Sequence, residues 1–299
     1  MRRRGARPGR ALLRSSRANG QRRQRTIVVG AVVVIAAVLV VIGALRLSGV
    51  TGPSATSDTA LSATVISEVT SVSPAVLRSA GAGDAPTTLH WLPGPTRLGD
   101  HGKPLLIYEG AEYCPFCAVE RWPLIVAMSR FGTFKDLQPA RSSPEETLPN
   151  TPSFSFAGAS YDSPYLEFSA VEVQSSVKAG NTYAPLETPT ALQQEVFQRF
   201  NGPPFLPASQ AGGIPFIDIA DRFLVNGATY DPRVLNRLSR DVIASRLRTV
   251  DSDPSRPILG AANVLIATIC VATANVPADV CQDGLIQQIV ATLPKAPTG

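Results

Sequence analysis

The sequence predicts an α/β domain that follows one N-terminal transmembrane helix. Residues 26–45 (TIVVGAVVVIAAVLVVIGAL) form a run of twenty residues without a charged side chain. After this run, short apolar segments typical of strands alternate with segments whose apolar residues recur at helical spacing. The composition, 44% hydrophobic and 17% charged over 299 residues, excludes a wholly disordered chain and permits a substantial core.

The apolar run has the length of a membrane span. At 1.5 Å per residue, a helix of twenty residues is about 30 Å long, which is the thickness of the hydrocarbon layer. A cleaved signal peptide is the alternative, because a basic stretch precedes the run. Signal peptides have apolar regions of about 7–15 residues and a small-residue cleavage site, which the following LRLSGVTGP lacks. We therefore predict an uncleaved membrane anchor at residues 26–45.

The distribution of arginine predicts the orientation of this anchor. Residues 1–25 contain ten arginines and no acidic residue, whereas only Arg46 lies just beyond the apolar run. By the positive-inside rule, residues 1–25 form a cytoplasmic tail and the rest of the chain lies outside the cytoplasmic membrane. We expect a linker at 46–58, an extracytoplasmic domain at 59–293 and a disordered tail at 294–299.

The net charge of +5 does not predict a nucleic-acid-binding domain. From residue 46 onward the chain has 18 basic and 23 acidic residues, so the body is mildly acidic. An arginine-rich tail can also bind nucleic acid. Because this tail directly adjoins a membrane span, however, its charge is better explained by topology, and we expect no nucleic-acid partner.

The body divides into helices, strands and loops by hydrophobic periodicity and by the positions of proline and glycine. Helices are predicted at 59–77 with a break at Pro74, at 118–134 with an interruption at Pro123, at 189–200, and at 232–249 behind the cap Asp231. Strands are predicted at 103–110, 165–173, 214–219 and 223–230, and loops at 138–164 and 201–213. The uncharged segment between Arg256 and Asp279 suggests a buried helix, or alternatively a second membrane span.

Two of the four cysteines form a C-P-F-C motif, Cys114 and Cys117, between a predicted strand and a predicted helix. The free N–H groups and the dipole at a helix N-terminus stabilise a thiolate and lower its pKa. Pro115 suits the first helical turn, where its missing N–H costs nothing. We expect Cys114 to be the exposed nucleophile and Cys117 the resolving thiol of a redox pair.

Haem attachment and a structural zinc site are two other interpretations of a C-x-x-C motif. Haem attachment requires C-x-x-C-H, and residue 118 is alanine. A structural zinc site requires two further ligands at suitable spacing, and the only histidines are His90 and His101. No metal or other cofactor is therefore expected. A purely structural disulfide between the two cysteines remains open.

The other two cysteines, Cys270 and Cys281, are eleven positions apart near the C-terminus. They predict a structural disulfide, which an oxidising compartment permits. The segment between them reads as a turn, so the bond would join the last helix to the one before it. A second redox pair that relays electrons to the first is the alternative.

Two motifs resemble those of thioredoxins. Ala111–Cys117 (AEYCPFC) resembles the A-E-W-C-x-x-C active site, with tyrosine in place of tryptophan, and Gly213–Phe216 (GIPF) resembles the cis-proline loop. The resemblance implies a thioredoxin-like fold, with a central mixed sheet flanked by helices and with helical and loop insertions. It also implies that Ile214 and a cis Pro215 face the redox pair and present backbone to substrate.

A longer string, Glu112–Trp122 (EYCPFCAVERW), is similar to a narrower group, the thioredoxin-like family catalogued as domain of unknown function 929. This similarity covers most of residues 60–290. It implies the same fold and supplies no established activity.

The sequence departs from the thioredoxin pattern near the cysteines. Thioredoxins carry a buried aspartate six residues before the first active-site cysteine, where this chain has Tyr108. Glu109 is a candidate proton acceptor in its place, although strand alternation directs it to the opposite face, and a solvated or ion-paired carboxylate is the alternative. Glu112 and Glu120 are expected to oppose thiolate formation, and Arg121 to favour it.

The sequence therefore predicts a membrane-anchored extracytoplasmic thiol–disulfide oxidoreductase. Its substrates would be cysteine-containing exported proteins, and a membrane redox partner would reset the cysteine pair. The alternative is a non-catalytic binding or chaperone module of the cell envelope with two structural disulfides. In that case the proline-rich insert at 138–164 would be the contact surface.

Overall fold

The computed structural model describes residues 61–83, 88–250 and 253–295. The predicted cytoplasmic tail, the membrane anchor at 26–45 and the linker at 46–58 lie outside these residues, as does most of the tail at 294–299. The described residues form a mixed α/β domain with a central five-stranded sheet.

Eight α-helices and eleven strands are present in the described residues. The helices are α1 (Ala63–Thr70), α2 (Pro74–Ala80), α3 (Pro115–Met128), α4 (Ala191–Phe200), α5 (Arg240–Arg246), α6 (Ser255–Ala272), α7 (Ala278–Cys281) and α8 (Gly284–Thr292). The strands are β1 (Leu89–Trp91), β2 (Leu105–Gly110), β3 (Thr133–Lys135), β4 (Gln138–Arg141), β5 (Pro152–Ser155), β6 (Ser160–Asp162), β7 (Glu167–Glu172), β8 (Gln174–Ala179), β9 (Thr182–Pro185), β10 (Phe216–Ile219) and β11 (Phe223–Asn226). Short 3₁₀ helices lie at Ala208–Gln210 and Pro232–Leu235.

The central sheet has the strand order β1-β11-β10-β2-β7. Strand β2 is parallel to β7 and antiparallel to β10, and its register places Tyr108 between Ala170 and Ile217. The carboxyl ends of β2 and β7 and the amino end of β10 therefore meet at one edge of the sheet. The C-P-F-C motif follows β2 and the Ile214–Pro215 segment precedes β10, so both motifs lie at this edge.

Helices pack on both faces of the sheet because the side chains of β2 alternate. Leu106 and Tyr108 belong to the main core, which includes Trp122 of α3 and Leu265 of α6. Leu105 and Ile107 belong to a smaller core formed with Val196 and Phe200 of α4.

Helix α6 coincides with the uncharged C-terminal segment. Of the described helices, it alone is long and apolar enough to cross a membrane, but 83% of this segment is buried within the domain. The Asn263 side chain donates hydrogen bonds to the carbonyls of Leu77 and Gly81, both at 2.7 Å. At Gly260 the helix approaches Gly83 so closely that an added Cβ would lie 2.7 Å from the Gly83 Cα. The segment is thus a buried helix, as the sequence predicted.

Helix α3 differs from its prediction at both ends and continues through Pro123. It begins at Pro115 and ends at Met128, so the predicted segment 129–134 is not part of it. Pro123 has no N–H to donate to the carbonyl of Val119, four residues earlier. That carbonyl instead accepts a hydrogen bond of 3.0 Å from the Tyr230 hydroxyl. A tertiary contact therefore satisfies the group that proline leaves unpaired.

The prediction of a loop at 138–164 was wrong in part. Strands β4 and β5 pair with each other, and β6 pairs with β3. These strands depend on non-local partners: Trp122 Nε1 donates to the Pro152 carbonyl, and the Ser153 hydroxyl donates to the Ala118 carbonyl. Arg240 also donates to the carbonyls of Ser153 and Ala140. Local composition cannot reveal such partners.

The predicted helix at 232–249 is divided into a 3₁₀ turn and the short helix α5. Asp231 caps the first turn as expected, since its side chain accepts from the Arg233 N–H at 2.9 Å. The interruption is at Arg237, whose φ of 61° is incompatible with a continuing right-handed helix.

Cys270 and Cys281 form the predicted disulfide, and both residues are fully buried. The bond joins the end of α6 to the end of the short α7 and not, as predicted, to the last helix, because α7 precedes α8 in the chain. In the chain-entropy model, a loop of this length contributes about 2–3 kcal/mol. We expect Cys270→Ala/Cys281→Ala to lower the free energy of unfolding in urea by about that amount. The comparison is made in a Cys114→Ser/Cys117→Ser background, where a reductant should destabilise the protein only if the disulfide is intact. Equal midpoints of urea unfolding for the proteins with and without the Cys270–Cys281 disulfide would contradict a stabilising role.

Candidate functional site: the Cys114–Cys117 pair

Cys114 is the N-cap residue of α3. Its backbone is extended (φ −74°, ψ 121°), and Pro115 occupies the first helical turn. The Cys114 Sγ accepts a hydrogen bond of 3.2 Å from the Cys117 N–H. A side chain that accepts from the first turn of a helix is stabilised in its anionic form by the helix dipole. The local sequence thus places Cys114 where a thiolate is favoured.

The Ile214–Pro215 segment lies against this cysteine. Its peptide bond is cis, and the Ile214 carbonyl oxygen is 3.8 Å from the Cys114 Sγ, so that Cys114 in its thiol form donates a weak S–H···O hydrogen bond to it. One hundred residues separate the two groups in the sequence. The order of β2 and β10 in the sheet brings them together.

Cys114 is less accessible than the sequence analysis expected. Only 5% of the residue is exposed, and Cys117 is fully buried. The two cysteines and Ala111 form a small apolar cluster, against which Tyr113, Val173 and Ile214 pack. The expectation of an exposed Cys114 was wrong, because the proline loop and the residue after β7 cover the sulfur. Phe116, between the cysteines, is 43% exposed.

The environment shifts the pKa values of the two thiols in opposite directions. Hydrogen bonds from Cys117 and the positive charge of Arg121 lower the pKa of Cys114, against the opposing effect of burial. Burial raises the pKa of Cys117 well above its usual value, and the thiol that donates to Cys114 keeps its proton. Of the two thiols, Cys114 is therefore the one that ionises more readily.

Arg121 and Glu172 form a buried ion pair beneath the cysteines. Arg121 Nε donates to Glu172 Oε1 at 2.8 Å, Nη2 donates to Oε2 at 2.6 Å, and both side chains are fully buried. Nη2 also donates to the Ala111 carbonyl at 2.9 Å. The sequence analysis singled out Arg121 as favouring a thiolate and missed Glu172, which lies 51 residues away.

Glu120 differs from its expected role as an opposing charge. It is fully buried, and its Oε2 accepts from the N–H and the hydroxyl of Thr229 at 2.8 and 2.7 Å. Burial raises the pKa of Glu120 to about 8 in spite of these bonds. At neutral pH the carboxyl is mostly protonated, so it carries little negative charge that could oppose a thiolate.

Glu109 is buried rather than solvated, and it has no ion-pair partner among the described residues. Burial raises its pKa to about 7. It alternates with Tyr108 along β2 and lies on the side of Ile107, toward the smaller core. Tyr108 is on the side of α3, with its hydroxyl buried and unpartnered in the described structure. The proton-acceptor role of Glu109 stays a prediction.

An aromatic pair adjoins the cysteines on the side of the β8–β9 hairpin. Tyr113 stacks on Tyr183 with ring centroids 4.0 Å apart and an interplanar angle of 5°. The Tyr183 hydroxyl donates to Glu146 at 2.8 Å, and the Lys178 ammonium lies 4.1 Å from the Tyr183 ring centroid. Sequence reasoning missed Tyr183. The sequence around Tyr183 does not indicate that its ring stacks on Tyr113, because the two residues lie 70 positions apart.

The described residues contain no group of three or more histidine, cysteine, aspartate or glutamate side chains that could hold a metal ion.

Comparison with known proteins gives one match. The model of the family described as Domain of unknown function (DUF929) matches residues 94–271, which is more than half of the chain. The matched segment contains Cys114, Cys117, Ile214 and Pro215. Searches of curated proteins and of solved structures found no match.

Proposed function

Since the chain belongs to the DUF929 family, whose description names no activity, we propose a function from the chemistry of its site: thiol–disulfide exchange with protein substrates. The observation that carries this proposal is the position of the Cys114 sulfur. It caps the N-terminus of α3, lies 3.2 Å from the Cys117 N–H, and is 3.8 Å from the carbonyl that precedes cis Pro215.

The exchange proceeds in two steps. The Cys114 thiolate attacks one sulfur of a substrate disulfide, so that the substrate S–S bond breaks, a mixed disulfide forms and one substrate thiolate leaves. Cys117 then gives its proton to the substrate thiolate that has left and attacks the Cys114 sulfur. This step forms the Cys114–Cys117 bond and releases the second substrate thiolate. The substrate gains two electrons and the cysteine pair loses two, and the reverse sequence oxidises a substrate dithiol.

The strand order supports a thioredoxin-like fold. Strand β2 leads into the helix that carries the cysteines, a parallel strand β7 follows, and the antiparallel β10 and β11 follow the cis proline. Strands β3–β6 and β8–β9 are insertions into this arrangement. The insertion β8–β9 supplies Tyr183 and so contributes to the surroundings of Tyr113.

The location that we propose rests on the sequence. The uncharged run at 26–45 and the ten arginines before it favour a single-pass anchor with the domain on the extracytoplasmic side. In that compartment the substrates would be exported proteins with cysteines, and a membrane redox partner would restore the pair after each cycle. The Cys270–Cys281 disulfide is compatible with an oxidising compartment.

One observation favours a second candidate function. Because Cys114 is only 5% exposed, the second candidate is a non-catalytic binding module whose cysteines are structural. Such a module would retain its partners after both cysteines are replaced, whereas an oxidoreductase would lose its covalent adducts.

The test uses the full-length chain with Cys117→Ser, which retains the nucleophile and removes the resolving thiol. We expect mixed disulfides between Cys114 and envelope proteins after acid quenching and alkylation, visible as adducts that a reductant removes. Cys114→Ser/Cys117→Ser is the matched control and should yield none.

A second measurement treats the native wild-type protein with glutathione redox buffers. We expect the Cys114–Cys117 pair to interconvert between dithiol and disulfide. The absence of adducts, together with a pair that glutathione neither oxidises nor reduces, would overturn the oxidoreductase proposal. Partners that co-purify equally with the control variant would then support the binding module.

A further inference from the structure

Arg121 shares one face of α3 with both cysteines. Cys114, Cys117 and Arg121 are spaced at i, i+3 and i+7, so they follow one another along the same side of the helix. The Ala111 carbonyl connects them further, because it accepts from Arg121 Nη2 at 2.9 Å and from the Cys114 N–H at 3.3 Å. The guanidinium is therefore held directly behind the loop that carries the nucleophile.

The positive charge of Arg121 is shielded from water. Its side chain is fully buried, and two of its nitrogens bond to the Glu172 carboxylate. The remaining nitrogen, Nη1, has no partner within the described structure. Because water does not screen a buried charge, Arg121 acts on neighbouring groups more strongly than a surface arginine would. Its counter-ion, Glu172, is the last residue of β7.

We propose that Arg121, held in place by Glu172, is a positioning residue whose buried charge stabilises the Cys114 thiolate and so makes the cysteine pair a stronger oxidant of substrate thiols. This inference rests on the proposed function and adds a direction to it. A pair whose reduced form is stabilised accepts electrons more readily, and the thiolate belongs to the reduced form.

Other groups around the guanidinium bear on this effect. The titratable and charged groups that face Arg121 or its partner are Cys114, Cys117, Tyr108, Glu172, Glu112 and Glu187. Burial raises the pKa of Tyr108 well above its usual value, so its hydroxyl is neutral at physiological pH. The negative charge of Glu112 raises the pKa of Glu172. The Glu187 carboxylate accepts a hydrogen bond of 2.8 Å from the Glu172 N–H. The positive charge of Arg121 acts to lower the pKa of both cysteines, although burial leaves the pKa of Cys117 raised.

The balanced equilibrium with glutathione shows what should be measured. The disulfide form reacts with two glutathione thiols to give Cys114 thiolate, Cys117 thiol, glutathione disulfide and one proton. Stabilising the thiolate therefore favours the reduced protein. A change of one unit in the pKa of Cys114 corresponds to about a tenfold change in this equilibrium constant at neutral pH.

The experiment compares four full-length variants with the wild type. Arg121→Met/Glu172→Gln removes both charges and so leaves no buried ion unpaired. We expect the midpoint of the pH profile for Cys114 alkylation by iodoacetamide to rise by on the order of one unit. The constant for reduction by glutathione should fall about tenfold. Glu172→Gln alone should lower the alkylation midpoint, because it leaves the Arg121 charge without its counter-ion. Arg121→Lys should leave the midpoint close to that of the wild type, because lysine keeps the positive charge.

Arg240→Met is the matched control, because Arg240 is also a buried arginine that donates to backbone carbonyls. It should leave the alkylation midpoint unchanged. Unchanged midpoints in a folded Arg121→Met/Glu172→Gln would overturn the inference. If that variant does not fold, an upward or absent shift in Glu172→Gln overturns it equally.

The proposed function can fail separately from this inference. The oxidoreductase would be rejected, and the effect of Arg121 on Cys114 retained, if Cys117→Ser gave no mixed disulfides, glutathione left the wild-type pair unchanged, and Arg121→Met/Glu172→Gln still shifted the alkylation midpoint. Mixed disulfides in Cys117→Ser, together with an unchanged alkylation midpoint in Arg121→Met/Glu172→Gln, would retain the oxidoreductase and reject the role of Arg121.

Discussion

Glu120→Gln should stabilise the protein at neutral pH by about 3 kcal/mol and flatten the dependence of its stability on pH. Glu120 is fully buried, its Oε1 has no partner in the described structure, and its pKa is raised to about 8. Glutamine has the shape of the protonated acid and does not ionise. It should retain an oxygen acceptor for the two bonds from Thr229.

The sign follows from which state binds the proton. Between the ordinary pKa of 4.5 and the folded value of about 8, the folded chain holds the Glu120 proton and the unfolded chain has lost it. The stability contributed by this group is therefore complete below about pH 4.5. It is lost as the pH rises toward 8, at about 1.4 kcal/mol per pH unit, or on the order of 5 kcal/mol in total.

Urea unfolding of the wild type and of Glu120→Gln at intervals from pH 5 to 8 measures how the free energy of unfolding of each protein depends on pH. Burial also raises the pKa of Glu109, to about 7, and that of Asp218, and both groups contribute slopes of the same sign. The difference between wild type and Glu120→Gln therefore isolates Glu120. Parallel profiles for the two proteins would show that Glu120 does not titrate in this range.

Glu172→Ala should lower the free energy of unfolding by about 3–5 kcal/mol, because it leaves the Arg121 guanidinium buried without its counter-ion. Removal of both charges in Arg121→Met/Glu172→Gln should cost much less, since no unpaired ion remains. Denaturant unfolding at one pH measures the free energies of unfolding of Glu172→Ala and of Arg121→Met/Glu172→Gln.

A surface ion pair provides the control for this prediction. Glu145 lies 3.3 Å from Lys178, and both side chains are partly exposed. Glu145→Ala should change the stability by less than about 1 kcal/mol, because solvent already screens the pair. If Glu172→Ala were as mild as Glu145→Ala, the buried Arg121 guanidinium would not depend on Glu172 as its counter-ion.

The sequence predicted the elements whose determinants are local. The strand before Cys114, the helix that carries the cysteines and the hairpin after Pro215 each have their own periodicity, although the ends of that helix differ from the prediction. Strands β4 and β5 were missed because their composition is rich in proline and serine. Their pairing is stabilised by contacts with Trp122 and Arg240, far away in the sequence.

The surroundings of the cysteines could not be predicted in the same way. That Cys114 lies at a helix N-terminus follows from the order of a strand, a C-P-F-C motif and an amphipathic run. That it is covered by Ile214 and Val173 follows only from the arrangement of β7 and β10 beside β2. The expected effect of Glu120 was wrong for the same reason, since burial and Thr229 determine its protonation.

The sequence by itself determined the two sulfurs, their order and their position at the start of a helix, because capping and periodicity act over a few residues. It also carries the charge asymmetry on which the predicted membrane orientation depends. Only the tertiary structure decided how deeply Cys114 is buried, which carboxyl stays protonated and which cation lies behind the thiols. Burial and charge pairing depend on chain segments 50 to 110 residues apart, as the contacts of Arg121 with Glu172 and of Glu120 with Thr229 demonstrate.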